Sequence, residues 1–154
     1  MRILVTGGAG YIGSALVHRL AVRDDVNELV VYDNLARGRA LFTTPLPAGT
    51  RVRPRLVHGD LLDSRTLGAA VDGADVVIHL AARVSTPFAH DDLHGFDQVN
   101  RWGTGELGLA IQAAPSVRRV VHASSTAVYG DTGPDPVSAA DKAPVAPISA
   151  YGHA

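Results

Sequence analysis

The sequence predicts an α/β fold in which a doubly wound parallel sheet carries helices on both faces. Short apolar runs rich in β-branched residues recur along the chain, and Ala- and Leu-rich stretches with helical spacing separate them. The apolar runs do not alternate with polar residues, which is typical of strands that a parallel sheet buries on both faces. The regular succession of strand and helix then indicates βαβ units.

The strands and helices can be assigned in chain order. We expect strands at residues 3–5, 29–32, 55–58, 76–80 and 120–123. We expect helices at residues 11–22, 64–71 and 97–114, and a further helix that begins near Ser149. Asp63 is suited to cap the second helix, because its carboxylate can accept a hydrogen bond from a free N–H of the first turn. Pro- and Gly-containing loops fill residues 34–54 and 130–147.

Composition excludes several functional classes. The formal net charge of −1 gives no reason to expect a nucleic-acid or acidic-membrane partner. The absence of Cys removes disulfides, thiolate nucleophiles and Cys-based metal sites. The apolar run at the N-terminus is too short for a signal peptide, and no segment approaches the ~20 apolar residues of a membrane span. We therefore expect a cytoplasmic protein without a membrane partner.

A glycine pattern lies between the first strand and the first helix. Gly7, Gly10 and Gly13 form G-x-x-G-x-x-G, and Tyr11 and Ile12 open the helix within it. Glycines at such a turn permit close approach of the backbone to a pyrophosphate, which the helix N-terminus then binds. The pattern predicts a dinucleotide site that includes all five residues, and a plain tight βα turn is the alternative.

Asp33 ends the second strand, 20 residues after Gly13, and Asn34 follows it. A carboxylate at this place can accept hydrogen bonds from the adenosine ribose hydroxyls and repels a 2′-phosphate. It therefore favours NAD over NADP, although it could also be a turn residue. Arg37 and Arg39 are close enough in sequence to offset the preference.

Four further stretches extend this pattern into a family resemblance. They are His58-Gly59-Asp60-Leu61, His79-Leu80-Ala81-Ala82, Val99-Asn100-x-x-Gly103-Thr104 and Ala123-Ser124-Ser125-Thr126-Ala127-Val128-Tyr129-Gly130. With the glycine pattern they resemble the NAD-dependent epimerase/dehydratase family of extended short-chain dehydrogenases/reductases, and most closely its nucleotide-sugar 4-epimerases. The resemblance covers essentially the whole chain and implies a Rossmann domain that binds NAD. It adds cofactor contacts from Asp60, Leu61, Leu80, Ala81, Ala82 and Asn100.

The same resemblance assigns catalytic residues. It gives the catalytic hydroxyl to Ser125, with Ser124 as the alternative, and the acid/base role to Tyr151. It implies that the phenolate takes the proton of a sugar hydroxyl while hydride passes to NAD. The resulting keto-sugar then takes hydride back on its other face.

The family places a Lys four residues after its Tyr, where it lowers the pKa of the phenol and binds the nicotinamide ribose. The matching position, 155, follows the last residue of the chain. We therefore expect residues 1–154 to be a Rossmann domain truncated after about five strands, with the edge of strand five unpaired. We expect it to lack the family's last strands and C-terminal substrate domain, and to turn over little substrate alone.

The residues after Ser125 narrow the reaction. Dehydratases of this family carry an Asp-Glu pair there, whereas this chain has Thr126 and Ala127, which transfer no proton at neutral pH. We therefore expect a nucleotide-sugar epimerase. An NAD(P)-dependent ketoreductase of the same superfamily and a non-catalytic NAD-binding module remain alternatives.

Two expectations concern partners and metals. The resemblance implies a nucleotide-sugar substrate and, for the full-length protein, a homodimer that pairs helix 97–114 with the helix near Ser149. The cluster His90, Asp91, Asp92 and His94 lacks typical metal-ligand spacing, and we expect no metal.

Overall fold

A computed structural model describes residues 1–37, 44–84, 93–133 and 145–154. In chain order its elements are β1 (Arg2–Thr6), α1 (Tyr11–Ala21), β2 (Glu28–Asp33), β3 (Arg55–His58), α2 (Ser64–Val71), β4 (Val76–His79), α3 (Leu93–Phe96), a π-helical segment (Asp97–Trp102), α4 (Gly103–Gln112), β5 (Arg119–His122), a 3₁₀ turn (Thr126–Tyr129) and α5 (Ala150–His153). Arg39, His90, Asp91 and Asp92 lie outside the described residues, as do parts of both predicted loops. None of the helices within these ranges is long and apolar enough to cross a membrane.

The five strands form one parallel sheet in the order β3-β2-β1-β4-β5. The order reverses at β1, where Val5 is flanked by Val31 of β2 and Ile78 of β4. In open α/β sheets, ligands bind outside the carboxyl ends of the strands at such a reversal. The prediction of a doubly wound parallel sheet is confirmed.

The core consists of two apolar layers, one on each face of the sheet. Alternate residues of β1 enter different layers: Leu4 packs towards α2 and α4, whereas Ile3 and Val5 pack towards α1. Leu4 and Val5 are completely buried. Full burial of one such side chain stabilises the fold by about 2 kcal/mol relative to exposure.

The expectation that every strand is buried on both faces is wrong for β3 and β5. All residues of β5 are exposed, including Val120 and Val121, and both ends of β3 are exposed as well. Within the described chain these two strands are the edges of the sheet. The helices close over the central strands, so an apolar run at an edge meets solvent.

The predicted helix 97–114 is divided in two. A π-helical turn covers Asp97–Trp102, and the regular helix α4 then runs only from Gly103 to Gln112. A Cβ at Gly103 would lie 2.9 Å from the Cβ of Leu61, so glycine lets α4 approach the loop before α2. By contrast, helix 64–71 has its predicted bounds, and Asp63 Oδ1 accepts a hydrogen bond from Thr66 N at 3.1 Å.

A buried histidine joins β1, β4 and α4. His79 Nδ1 lies 2.6 Å from Thr6 Oγ1, and His79 Nε2 lies 3.0 Å from Thr104 Oγ1. Burial lowers the pKa of His79 from its ordinary 6.5 to about 4, and the ring of His122, at a centroid distance of 5.2 Å, adds to the shift. The imidazole is therefore neutral in the folded protein at neutral pH.

This histidine makes stability depend on pH. In the unfolded chain His79 takes up a proton near pH 6.5, whereas in the folded protein it does so only near pH 4. The free energy of unfolding is therefore highest above pH 6.5 and falls as the pH is lowered from 6.5 towards 4. We expect the wild type to lose about 3 kcal/mol more unfolding free energy than His79→Gln over that window. Urea titrations at several pH values measure the difference, and parallel pH profiles for the two proteins would contradict it.

Candidate functional site

A groove of about 440 Å³ opens at the carboxyl ends of β1 to β4. Most of the predicted cofactor residues line it: Gly7, Gly10, Asp33, Asn34, Asp60, Leu61, Leu80, Ala81 and Ala82. They come from four separate turns, which the parallel sheet brings to one edge. The groove therefore lies where the reversal of strand order places a ligand site.

The floor of the groove is bare backbone. Gly7 has φ +69°, a conformation that L side chains rarely adopt, and its N–H donates to Tyr32 O at 2.8 Å. A Cβ at Gly7 would lie 2.5 Å from Ala81 N, and one at Gly13 would lie 2.2 Å from Gly7 O. No side chain fits at either place, so a phosphate can approach the main chain and the N-terminus of α1 directly.

Asp33 is held by two backbone N–H groups. Its Oδ2 accepts from Ala9 N at 3.0 Å, and its Oδ1 accepts from Leu35 N at 2.8 Å. The first bond ties the end of β2 to the glycine-rich turn. The second stabilises Leu35 at φ 58°, an uncommon conformation for a residue with a Cβ. The carboxylate is thus fixed on the groove wall before any ligand arrives.

Asp60 is fixed from the neighbouring strand end. Tyr32 Oη donates to Asp60 O at 2.6 Å, Asn34 Nδ2 donates to Asp60 Oδ2 at 2.8 Å, and Leu62 N donates to Asp60 Oδ1 at 3.0 Å. Burial raises the pKa of Tyr32 to about 12, with smaller contributions from the charges of Asp63 and Asp60. The phenol therefore remains a hydrogen-bond donor at every physiological pH.

Four predicted cofactor residues do not line the groove. The side chains of Tyr11 and Ile12 are 95% and 66% exposed, and the backbone N–H groups of these residues belong to the first helical turn, which leaves such donors free for a ligand. Gly13 lies beneath Gly7. Asn100 instead binds the backbone of Arg83: its Oδ1 accepts from Arg83 N at 2.8 Å, and its Nδ2 donates to Arg83 O at 2.9 Å.

Several lining residues were not predicted as cofactor contacts. They are Ala9, Tyr32, Ala36, Gly59, Arg83 and Val99, together with Arg37, which the sequence suggested only as an offset to Asp33. Gly59 and Arg83 directly adjoin predicted residues, and their position just beyond β3 and β4 could have predicted that they line the groove. No such signal pointed to Tyr32, because an aromatic residue near the end of a strand usually belongs to the hydrophobic core. Here Gly59 makes room for it, since a Cβ there would lie 2.6 Å from Tyr32 Oη.

The two predicted catalytic residues lie on elements that pack together. Ser125 precedes the 3₁₀ turn, and its Oγ accepts a hydrogen bond from Ala127 N at 3.2 Å. Tyr151 lies in α5, which packs so closely on this turn that a Cβ at Gly152 would be 2.7 Å from Ala127 O. Ser124, the alternative to Ser125, is exposed.

The surroundings of Tyr151 are partly apolar. Its ring meets buried Phe96 edge to face, with the centroids 5.7 Å apart and the planes at 64°. The segment after β5 is also joined to β4, because Ala123 N donates to His79 O at 3.3 Å. The Ser125 segment therefore starts beside the strand end that leads into the groove floor at Leu80 and Ala81.

Of the predicted polar cluster, the structure describes His94, which lies in α3. Among the described residues there is no group of three or more His, Asp or Glu side chains that could hold a metal ion.

A family model described as the NAD dependent epimerase/dehydratase family matches residues 3–154. The chain belongs to the NAD-dependent epimerase/dehydratase family. The resemblance inferred from the sequence motifs is therefore confirmed, together with the Rossmann architecture of the sheet.

Relatives within this family include enzymes of two kinds. A UDP-glucose 4-epimerase of Mycolicibacterium smegmatis is 39% identical over 98% of this chain and 47% of its own length. A dTDP-glucose 4,6-dehydratase of the same organism is 35% identical over 98% of this chain and 44% of its own length. The chain thus spans about half the length of the curated relatives it matches.

Solved structures of the family agree with this fold. A UDP-glucose-4-epimerase from Stenotrophomonas maltophila, with bound NAD and formylated UDP-arabinopyranose, superposes with a TM-score of 0.85 at 30% identity. The match covers 99% of this chain and 45% of that one. The dTDP-glucose 4,6-dehydratase DesIV from Streptomyces venezuelae, with NAD and TYD bound, gives 0.82 at 34% identity over 99% of this chain and 48% of that one.

NAD is the cofactor of this family, and the groove fits it. The glycine floor leaves the main chain at Gly7 open to a pyrophosphate, and Asp33 stands at the end of β2 as an acceptor for ribose hydroxyls. The fit rests on backbone shape as much as on side chains.

The floor can be tested by adding one methyl group. Gly13→Ala would push a Cβ against Gly7 O, so we expect NAD⁺ affinity to fall at least about tenfold. Gly68→Ala is the matched control, because nothing lies within 4 Å of that position. It should keep NAD⁺ binding and stabilise α2 by about 0.5–1 kcal/mol. Isothermal titration and thermal unfolding measure both effects, and unchanged affinity in Gly13→Ala would refute this account of the floor.

Proposed function

We propose that the protein is an NAD-dependent nucleotide-sugar epimerase. The observation that carries the proposal is the packing of α5, with Tyr151, against the turn that begins at Ser125, beside the strand end that leads into the cofactor groove. A hydroxyl and a phenol in such a place suit the removal and return of a proton at one sugar carbon.

Each residue has a distinct role in the proposal. Bound NAD supplies the acceptor and donor of the hydride. Gly7 and Gly10, with the first turn of α1, bind its pyrophosphate, and Asp33 binds the adenosine ribose. Tyr151 exchanges a proton at Oη with the reacting sugar hydroxyl, while Ser125 Oγ donates a hydrogen bond to the same sugar oxygen. The proposed proton transfer requires the phenolate form of Tyr151, which a neighbouring cationic group would stabilise.

The side chains after Ser125 favour epimerisation over dehydration. Eliminating water needs an additional acid/base pair, whereas Thr126 and Ala127 follow Ser125 directly. Ala127 contributes its N–H to Ser125 Oγ and has no proton to transfer. The chain is similar both to an epimerase and to a dehydratase, at 39% and 35% identity. The residues at positions 126 and 127 therefore distinguish the two reactions better than overall sequence identity does.

The stoichiometry of the cofactor distinguishes the candidate reactions. UDP-galactose and a catalytic amount of NAD⁺ are incubated with the protein expressed from its own gene, and the sugars are followed by NMR. We expect UDP-glucose to form without net consumption of NAD⁺. A 4-keto-6-deoxy product would indicate a dehydratase, and stoichiometric use of NAD(P)H would indicate a ketoreductase. Tight NAD⁺ binding without turnover of a panel of UDP- and dTDP-sugars would indicate a non-catalytic module.

Single substitutions test the assigned roles. We expect Tyr151→Phe to lower kcat by ~10²–10⁴-fold, because the variant cannot transfer the proton. Ser125→Ala should lower kcat by ~10²–10³-fold through loss of the hydrogen bond to the sugar oxygen. Ser124→Ala is the matched control and should retain activity. If Ser124→Ala proves the more damaging of the two serine changes, the catalytic hydroxyl belongs to Ser124.

We further propose that the protein forms a homodimer through the face of α4. Trp102, which ends the π-helical segment, and Leu109 of α4 are each 63% exposed, and a second copy of the chain packed here would cover both side chains.

Charge placed on this face tests the homodimer. We expect Trp102→Glu to convert dimers to monomers, because it would bury an unpaired carboxylate at the interface. Val22→Glu, at a 38% exposed position that ends α1, should leave the dimer intact. Sedimentation velocity measures both, and a monomeric wild type would end the proposal.

A further inference from the structure

Phe96 is a large buried side chain that lies outside the core of the sheet. It is 4% exposed, yet among the described residues it belongs to neither of the two apolar layers. It ends α3, and its ring meets the ring of Tyr151 in α5. Its burial therefore stabilises a contact between α3 and α5 rather than the packing of the sheet.

The two rings meet in a favourable geometry. Their centroids are 5.7 Å apart and their planes are inclined at 64°, so the contact is edge to face. Aromatic pairs attract in this arrangement at centroid distances of ~4.5–7 Å, because the positive edge of one ring meets the negative face of the other. Since the attraction depends on orientation, it restricts the tilt of the Tyr151 ring as well as its position.

The other described contacts of α5 fix its backbone. Ser149 Oγ accepts a hydrogen bond from Gly152 N at 3.0 Å, and Gly152 lies against Ala127 O. Two side-chain torsions of Tyr151 remain, and contacts to the backbone of α5 do not set them. Because Tyr151 is only half-buried, the ring of Phe96 is well placed to hold these torsions in one orientation.

The helical element that carries Phe96 is also attached to the cofactor groove. The π-helical segment Asp97–Trp102 follows Phe96 directly, and its Asn100 bonds both backbone polar groups of Arg83, which lines the groove. π-helical turns are rare and frequently occur at functional sites. One continuous element thus holds the groove wall through Asn100 and the phenol through Phe96.

We infer that Phe96 is the positioning residue for proton transfer: its ring orients Tyr151 so that the phenol Oη meets the reacting sugar hydroxyl beside the cofactor groove. The inference rests on the proposed function, because it takes Tyr151 as the group that exchanges the proton. Phe96 does not line the groove and has no proton to exchange, so it acts through Tyr151. Misalignment of reacting groups lowers the rate of the chemical step steeply.

Kinetics of the protein expressed from its own gene test the inference, with UDP-galactose as substrate. Phe96→Leu keeps an apolar side chain but removes the ring, so we expect kcat to fall at least about tenfold. KM and the Kd for NAD⁺ should each change less than about twofold, because the groove itself is unaltered. In a Tyr151→Phe background, Phe96→Leu should cause no further loss, since no phenol remains to be oriented.

Leu67→Val is the matched control, because it shortens a completely buried side chain of α2 that lies in a core layer. It should lower the thermal unfolding temperature and leave kcat unchanged. A fall in kcat for Leu67→Val equal to that for Phe96→Leu would show that lost core packing is sufficient, and would overturn the inference. So would an unchanged kcat in Phe96→Leu, or an undiminished loss in the Tyr151→Phe background.

NMR tests the contact without turnover and, in its first step, without a Phe96 variant. The ring signals of Tyr151 are assigned by their absence from Tyr151→Phe, and we expect NOEs between the rings of Phe96 and Tyr151 in the wild type. Phe96→Leu should shift these Tyr151 signals, whereas Leu67→Val should not. Absence of the NOEs would overturn the inference. If no sugar nucleotide is turned over, the proposed function fails, while the NOEs and shifts still decide whether Phe96 orients Tyr151.

Discussion

Backbone contact between the turn after β1 and the end of β4 determines the shape of the groove. Gly7 lies against Ala81 so closely that not even a methyl group fits between them. The contact is also bonded, because Thr6 Oγ1 accepts from Ala81 N at 3.3 Å while Thr6 lies against buried His79. The strand ends on both sides of the sheet's reversal are therefore fixed relative to each other, and the groove is formed before ligand binds.

Preformation extends to the charged groups. Asp33 and Asp60 each accept hydrogen bonds on both carboxylate oxygens, and these bonds order the turns around them. Because the turns are already ordered, less conformational entropy is lost when a ligand binds. The same bonds moderate the charge that these side chains present. Structural and recognition roles thus coincide in the same two residues.

Much of this architecture could be predicted from sequence, for a physical reason. The central strands and α1 follow local patterns, since buried runs, glycine spacing and helical periodicity reflect interactions between residues near in sequence. The exposure of β5, the π-helical turn at Asp97–Trp102 and the outward side chains of Tyr11 and Ile12 depend instead on what packs against each segment. The pattern of apolar residues within a segment does not determine which other element packs against it.

The candidate site shows the same division. Glycine and aspartate positions were predictable because their chemistry dictates residue type. Arg83 and Tyr32 enter the groove through sheet geometry, which places the ends of β2 and β4 on either side of β1 at one edge of the sheet. The packing of Tyr151 on Phe96 joins distant parts of the chain, and the residues near either position do not predict this contact.

Asn100 extends this geometry beyond the end of β4. Its amide meets both the N–H and the C=O of Arg83, so the side chain imitates the peptide unit of an adjacent strand and prolongs β-type pairing beyond β4. Only an amide of this length offers a donor and an acceptor at that spacing. Aspartate would present two acceptors, and glutamine would extend one methylene too far. The Asn100 side chain thus ties the π-helical segment to the chain beyond β4 through the hydrogen-bond pattern of a peptide unit.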